Sequence, residues 1–256
     1  AQPVVGIAVG GTEDQFYLPQ RVLVGIVRGL ERQGLATRLF SGDPLAASQR
    51  SQQSIDRLSQ LAGVIVPLSL KPMPALLECV EQAGRPVLWM FQRQKTNALM
   101  LDEEAAAVRL VDHLAEQHVS SITYVDYNGG DMPAPQTVER LRGFRRAVKT
   151  HRIKSEELTQ HRIPRSEREA YSRQWLGRED RSRAVIVDSA SAAHVILDTA
   201  HLMGIAVPQE LAIATFDDGN SLDTCAPTLT AVVSPMWELG LIAGEMMAEL
   251  LESPDH

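Results

Sequence analysis

The chain has 256 residues, of which 44% are hydrophobic and 22% are charged, which is enough for one large domain or two lobes. No segment approaches the roughly 18 consecutive apolar residues that a membrane helix needs, so we expect no membrane contact. The net charge of -7 argues against a nucleic-acid surface on this chain, because phosphate binding needs clustered Lys and Arg. The two cysteines, Cys79 and Cys225, have no His or Cys neighbours at metal-ligand spacing, which predicts two unpaired thiols.

Short β-branched segments alternate with longer amphipathic segments in the first part of the chain. This alternation is typical of βαβ units and of a parallel sheet that is buried on both faces. The predicted strands are residues 4–9, 35–40, 63–67 and 86–90, and the predicted helices are residues 17–33, 48–61 and 73–83. Gly34 and Gly84 follow predicted helix ends, where a left-handed residue closes the helix.

After residues 98–101 the alternation restarts. The predicted helices are residues 103–117, 137–150, 166–176, 191–203 and 236–251, and the predicted strands are residues 121–125, 157–163, 184–188, 211–215 and 229–233. A single sheet of about ten strands would be unusually wide, so the count predicts an α/β fold with two doubly wound parallel sheets. In such folds ligands bind at the carboxyl ends of the strands.

Motifs that would indicate catalysis are missing from the sequence: it has no G-x-S-x-G, P-loop, H-E-x-x-H or kinase pattern. The glycine pairs at residues 10–11 and 129–130 lack the G-x-G-x-x-G spacing. The seven histidines form no set with metal-ligand spacing, so we expect neither a metal nor a cofactor. Asp217 and Asp218 follow a strand, but adjacent residues point to opposite sides, so at most one of them faces a ligand.

The segment VPQELAIATFDD, residues 207–218, lies after Gly204 and before PTLTAVVSP, residues 227–235. Together with the ELG at residues 238–240, this pattern closely resembles the C-terminal signature of LacI-family transcriptional regulators. The segment RLRGF at residues 140–144 resembles the family's R-x-x-G-F helix start. Further similarity at Gly25 and over residues 102–117 extends the resemblance to essentially the whole chain.

The resemblance implies a fold of the periplasmic-binding-protein type I, with two lobes joined by three crossover strands. Residues 1–101 and 234–251 would form the N-terminal lobe, and residues 102–233 the C-terminal lobe. It also implies a small-molecule effector in the cleft between the lobes, a homodimer, and operator DNA bound through an N-terminal helix-turn-helix headpiece that this chain lacks.

Three predicted ligand-binding residues are carried over from the family pattern. Arg140 matches the effector-contacting arginine, whose guanidinium can hold hydroxyls or an anion; the alternative is a surface ion pair with Glu139 or Asp131. Asp217 matches the acid that accepts hydrogen bonds from ligand hydroxyls, and the alternative is a helix cap. Ser189 stands where most members have Asn, so a hydroxyl, which can both donate and accept, would replace the usual amide contact.

Five further residues are candidates for lining the site. Phe91 ends a strand and is either a wall of the cleft or part of the core. Arg165 stands where many members have an aromatic ring; beside Arg140 it would favour a sugar phosphate or sugar acid, whereas in a solvated arginine cluster it would not. Phe16, Tyr17 and Met236 complete the predicted lining.

The resemblance favours a cytoplasmic, non-enzymatic regulator whose effector is a sugar, sugar phosphate or sugar acid. The alternative is a periplasmic solute-binding protein of a sugar transporter, because it shares the fold. The VPQE and FDD segments favour the regulator.

Overall fold

The computed structural model describes residues 2–9, 18–41, 52–67, 78–80, 82–91, 94, 96–130, 134–217 and 222–253, with residues 41, 52–55 and 217 described by their backbone alone. The chain divides into two compact units, one of Ala1–Leu101 with Pro235–His256 and one of Asp102–Ser234. It therefore passes between the units twice, where the sequence predicted three crossovers. The bounds predicted for the lobes, residues 1–101 with 234–251 and residues 102–233, themselves contain two crossings.

The first unit contains a five-stranded parallel sheet. Its strands are β1 (Val4–Val9), β2 (Ala36–Ser41), β3 (Gly63–Pro67), β4 (Val87–Met90) and β5 (Ala98–Leu99), in the order β2-β1-β3-β4-β5. Its named helices are α1 (Gln20–Arg32), α2 (Gln52–Ser59) and α7 (Met236–Glu252). Residues 78–80 are also helical, within the predicted helix 73–83.

Both faces of this sheet are covered, as the alternation in β1 shows. Val5 and Ile7 belong to the core cluster that contains residues of α1 and α7, whereas Ala8 packs in the cluster with Leu58 of α2. Successive side chains of a strand point to opposite faces, so one β-branched strand supplies two cores. The apolar character of β1 and β3 follows from this double burial.

Helices α1 and α7 approach each other closely through glycines. A Cβ on Gly29 would lie 2.6 Å from the Leu241 carbonyl oxygen, and one on Gly244 would lie 2.7 Å from the Gly29 carbonyl carbon. Gly25 and Gly240 face each other in the same way, with Gly240 one turn before Gly244. The backbones can be this close only because no side chain stands between them.

The second unit repeats the plan. Its strands are β6 (Ser121–Val125), β7 (Lys154–Leu158), β8 (Ala184–Val187), β9 (Ala212–Asp217) and β10 (Thr230–Val233), all parallel in the order β10-β9-β8-β6-β7. Its helices are α3 (Glu103–Glu116), α4 (Pro135–His151), α5 (Arg168–Leu176) and α6 (Ala190–Leu202), and a 3₁₀ turn spans Arg165–Glu167. The predicted α/β class with two parallel sheets is confirmed.

The strand order is the same in both units: the second strand lies at one edge, followed by the first, third, fourth and fifth. In this order the chain winds to opposite sides of the sheet from its first and third strands, which leaves a crevice at their carboxyl ends. In the second unit these strands are β6 and β8.

The predicted strand at residues 157–163 is misplaced: β7 occupies Lys154–Leu158. Among the described strands it pairs with β6 alone and lies at the edge of the sheet, so it does not carry the apolar pattern of a buried strand. Its Glu156 and Glu157 instead form ion pairs with Arg178 and Arg145. Polar edge strands resemble loops in sequence, which explains the error.

Candidate functional site

Three aspartates follow the carboxyl ends of neighbouring strands in the second unit. Asp126 comes directly after β6, Asp188 directly after β8, and Asp217 is the last residue of β9. The first two are largely buried, at 3% and 8% exposure. Because β6 and β8 flank the crevice that the strand order creates, these acids mark the place where a ligand is expected in this fold.

Arg140 on α4 reaches this edge of the sheet. Its Nε donates to Glu103 Oε2 at 2.7 Å, and its Nη1 donates to the Asp188 backbone carbonyl at 2.6 Å. The guanidinium carbon lies 4.2 Å from the centre of the Phe216 ring. Its side chain is only 13% exposed. Arg140 is thus fixed between two carboxylates and an aromatic face, and no hydrogen bond joins its Nη2 to a described residue.

Asp188 is the centre of a hydrogen-bond network. Its Oδ1 accepts from the Tyr124 hydroxyl at 2.5 Å, and its Oδ2 accepts from the Thr137 hydroxyl at 3.1 Å and lies 3.7 Å from Arg140 Nη1. Both oxygens are therefore held by the protein. A carboxylate with this many donors orients its neighbours, so Asp188 is a positioning residue.

Packing of α3 on α4 brings Glu103 to Arg140. The Asp102 side chain caps α3 by accepting from the Ala105 N–H at 2.8 Å, which fixes the helix start at Glu103. Gly143 of α4 lies against the Glu104 carbonyl, where no side chain would fit. The small residue permits the close approach on which the ion pair depends.

The neighbouring charges shift the pKa values of this cluster. Although burial acts to lower it, Asp188 and Glu103 raise the pKa of Arg140 above its ordinary value. Burial, followed by the charge of Asp188, raises the pKa of Asp126 from 3.8 to about 6. Two carboxyls in one poorly hydrated place resist simultaneous ionisation. Arg140 is consequently a fixed cation, whereas the pKa of Asp126 is raised to about 6.

A second group of contacts lies beside Asp126. Arg168 of α5 stacks 5.2 Å from the centre of the Tyr127 ring and donates to Asn128 Oδ1 at 2.9 Å. The Tyr127 hydroxyl is hydrogen-bonded to the hydroxyl of Ser172. Asp126 Oδ1 accepts from the Asn128 N–H at 2.8 Å. The loop after β6 is thereby tied to the first turns of α5.

The structure brings Arg140 to the ends of the strands that lead to the predicted Ser189 and Asp217. Its contacts are with Asp188 and Phe216, the residues immediately before them. Ser189 caps α6, and its Oγ accepts from the Ala192 N–H at 3.4 Å. Asp217 pairs through its backbone with Val233, and its side chain lies outside the described part.

The remaining predicted lining residues lie elsewhere in the second unit, in the first unit, or outside the described residues. Arg165 is exposed on the 3₁₀ turn before α5. Phe91 and Met236 lie in the first unit, where Met236 is 7% exposed in the core and Phe91 packs against the same core with a φ of 60°. Phe16 and Tyr17 lie outside the described residues.

The sequence interpretation missed Glu103, Asp126 and Asp188. The predicted partners of Arg140 were Glu139 and Asp131; of these, Glu139 pairs with Arg142, and Asp131 lies outside the described residues. A signal for two of the missed residues was available, because Asp126 and Asp188 end or follow predicted strands as Asp217 does. The contact of Glu103 depends on how two helices pack.

Among the side chains that the structure describes, no group of three or more His, Cys, Asp or Glu could hold a metal ion. Cys225 lies near His194, with 3.4 Å between Sγ and Nδ1, a proximity that the sequence spacing does not reveal. No helix in the described part of the chain is both long and apolar enough to cross a membrane.

Comparison with known proteins identifies the family. The model of the periplasmic binding protein-like domain matches residues 111–256, more than half of the chain. The chain belongs to this family. Periplasmic binding protein-like domains are the class that the sequence resemblance implied, and the match includes the strand ends that carry Asp126 and Asp188.

Curated relatives of this periplasmic binding protein-like chain are transcriptional repressors. The arabinose metabolism transcriptional repressor of Geobacillus stearothermophilus is 27% identical over 163 residues, which cover 59% of this chain and 42% of the relative. The ribose operon repressor of Halalkalibacterium halodurans is 26% identical over 224 residues, covering 86% of this chain and 64% of the relative. The chain thus spans about half of these proteins' length.

A solved LacI-family transcriptional regulator from Enterococcus faecium, with bound ribose, has the same fold. It superposes with a TM-score of 0.74 at 17% identity, over 98% of this chain and 91% of the other. With the curated repressors, this match confirms the resemblance to LacI-family regulators that the sequence indicated.

Proposed function

We propose that this chain is the effector-binding domain of a LacI-family transcriptional regulator and that its effector is a small sugar. The observation that carries the proposal is the buried cluster around Arg140 at the carboxyl ends of β6 and β8. Sugars are recognised by planar charged groups that form several hydrogen bonds, and the guanidinium of Arg140 is such a group. The names of the arabinose and ribose repressors support the same class of ligand.

In this proposal each residue has a defined role. Arg140 offers Nη2 to a ligand hydroxyl while its other nitrogens remain bound to Glu103 and Asp188. Ser189 and Asp217, on the strand ends that Arg140 touches, supply hydroxyl and carboxylate contacts. A guanidinium that is already held in place loses little conformational entropy when the ligand arrives.

The biological consequence is control of DNA binding in the cytoplasm. A ligand that binds one conformation of the protein better than another shifts the population towards it. In a homodimer with helix-turn-helix segments, such a shift would alter affinity for operator DNA. The coding sequence upstream of Ala1 tests this step: a helix-turn-helix segment supports it, and a signal peptide would instead indicate a transporter's solute-binding protein.

Titration calorimetry of the chain with L-arabinose and D-ribose tests sugar binding. We expect saturable binding of at least one of the two sugars, without product formation. Ser189→Gly removes the hydroxyl but keeps a residue that helix starts tolerate, so affinity should fall about tenfold with little loss of stability. Ser155→Ala, on the exposed edge strand β7, is the control and should bind normally. Binding that is absent for both sugars and for other aldoses would overturn the proposal.

A further inference from the structure

Asp126 is a buried carboxyl that the protein satisfies only in part. It is 3% exposed, and its Oδ1 accepts one hydrogen bond, from the Asn128 N–H at 2.8 Å. Its Oδ2 has no hydrogen-bond partner among the described residues. Among the described residues, Trp175 Nε1 is the one side-chain nitrogen or oxygen that is both completely buried and without a hydrogen-bond partner. Asp126 Oδ2 also lacks a partner among these residues but is not in this class, so the atom retains some access to solvent.

The charges around Asp126 do not neutralise it. Arg140 forms ion pairs with both Glu103 and Asp188, so its single positive charge is already matched by two carboxylates other than Asp126. Arg168 donates to the Ile163 carbonyl and to Asn128, and no ion pair joins any described cation to Asp126. A buried carboxylate without a counter-charge is costly, because desolvation is not offset by a nearby cation.

We propose that Asp126 determines the ligand specificity of this site and selects a sugar that carries a protonated amine over one that carries a carboxylate or phosphate. The inference rests on the function proposed above and names the class of ligand. An ammonium group would give Asp126 Oδ2 both the hydrogen-bond donor and the positive charge that the described residues do not supply. An anionic group there would add a third negative charge beside Asp126 and Asp188.

The arginines near α5 do not make the site attractive to anions at this position. Arg162 and Arg165 are exposed, so water and salt screen their charges. Arg168 is stacked on Tyr127 and hydrogen-bonded to Asn128. Burial, together with the charge of Arg165, lowers the pKa of Arg168. These arginines are therefore exposed or half-buried, whereas Asp126 and Asp188 are buried.

The test compares three forms of one sugar on the intact chain: D-glucose, D-glucosamine and D-glucuronate, with the corresponding galactose set. Titration calorimetry at pH 7.5 gives each dissociation constant. We expect the amino sugar of the better set to bind at least tenfold more tightly than the neutral sugar, and the uronate to bind more weakly than both. An acid that binds most tightly, or an amine that gains nothing, overturns the inference.

Two variants assign the effect to Asp126. Asp126→Asn should bring the ratio of the dissociation constants of the neutral sugar and the amino sugar to about one, and Asp126→Glu should keep part of the preference. Asp112→Asn, which alters a half-exposed acid paired with His151, is the matched control and should change nothing. A preference that survives Asp126→Asn overturns the inference. If the neutral sugars bind but the amino sugars bind no more tightly, the inference fails and the proposed function stands. If no sugar binds, both the inference and the proposed function are contradicted.

Discussion

At the scale of single residues, Arg140 is both a ligand contact in the proposed function and a structural centre. Its removal leaves Glu103 and Asp188 buried without a cation, a change that typically costs about 3–5 kcal/mol. We therefore expect Arg140→Ala to lower the free energy of unfolding by about 3 kcal/mol in urea titrations. Arg142→Ala, two residues further along α4 and with a half-exposed side chain, should cost less than about 1 kcal/mol. Equal losses would show that the cluster around Arg140 contributes no special stability.

The raised pKa of Asp126 predicts a pH dependence of stability. A carboxyl whose pKa is about 6 when folded and 3.8 when unfolded binds protons more tightly in the folded state. Its contribution to stability is therefore greatest below about pH 4 and declines as the pH rises from 4 to 6. Asp188, Arg140 and Arg168 are the charged groups that act on it.

Asp126→Asn should remove this decline. The variant should gain on the order of 3 kcal/mol over the wild type at pH 7.5, about 1 kcal/mol at pH 4.5 and close to nothing near pH 3, where the wild-type carboxyl is protonated in both the folded and the unfolded state. Urea unfolding of both proteins at several pH values measures the difference. A constant difference across the range would show that Asp126 keeps an ordinary pKa.

At the scale of elements, the close contact of α1 and α7 should reverse the usual effect of a Gly→Ala substitution on stability. In an exposed helix interior, Gly→Ala stabilises by roughly 0.5–1 kcal/mol because alanine restricts the unfolded chain. At Gly244 the added methyl would meet the backbone of Gly29 at 2.7 Å. We expect Gly244→Ala to destabilise by about 1–3 kcal/mol in urea unfolding, as overpacked sites do.

Gly177→Ala is the control for this substitution. Gly177 ends α5 with a φ of -77°, and an added methyl would lie 3.2 Å from the Arg173 carbonyl oxygen. We expect a change of less than about 0.5 kcal/mol there. If Gly244→Ala proved equally harmless, the two helices would have to move apart without loss, and the close crossing would not be a determinant of the first unit.

Elements with an apolar pattern were predictable from the sequence, and those without it were not. Strand β3 was predicted with its observed bounds and β8 to within one residue, because burial on both faces demands apolar runs. Strand β7 was misplaced because an edge strand carries Glu156 and Glu157. The site follows the same division: Arg140 was found from a motif, whereas its partner Glu103 depends on helix packing that no local pattern records.

At the scale of the whole molecule, the two units differ in how the chain builds them. The second unit is one continuous segment, Asp102–Ser234, whereas the first combines Ala1–Leu101 with a distant helix. Residues of α7 complete the core of the first unit, among them Met236, Leu239, Ala243 and Met247. The first 101 residues alone would expose this core and the glycine face of α1 to water.

Fragments test this asymmetry. We expect residues 102–234, expressed alone, to unfold cooperatively in urea with helical circular dichroism, because both faces of their sheet keep their helices. Residues 1–101 should remain unfolded, and joining residues 235–253 to them through a flexible linker should restore a cooperative transition, since α7 then reaches its core at high effective concentration. The same linked fragment with Gly244→Ala is the control and should be less stable. A cooperative transition in residues 1–101 alone would show that α7 is dispensable to the first unit.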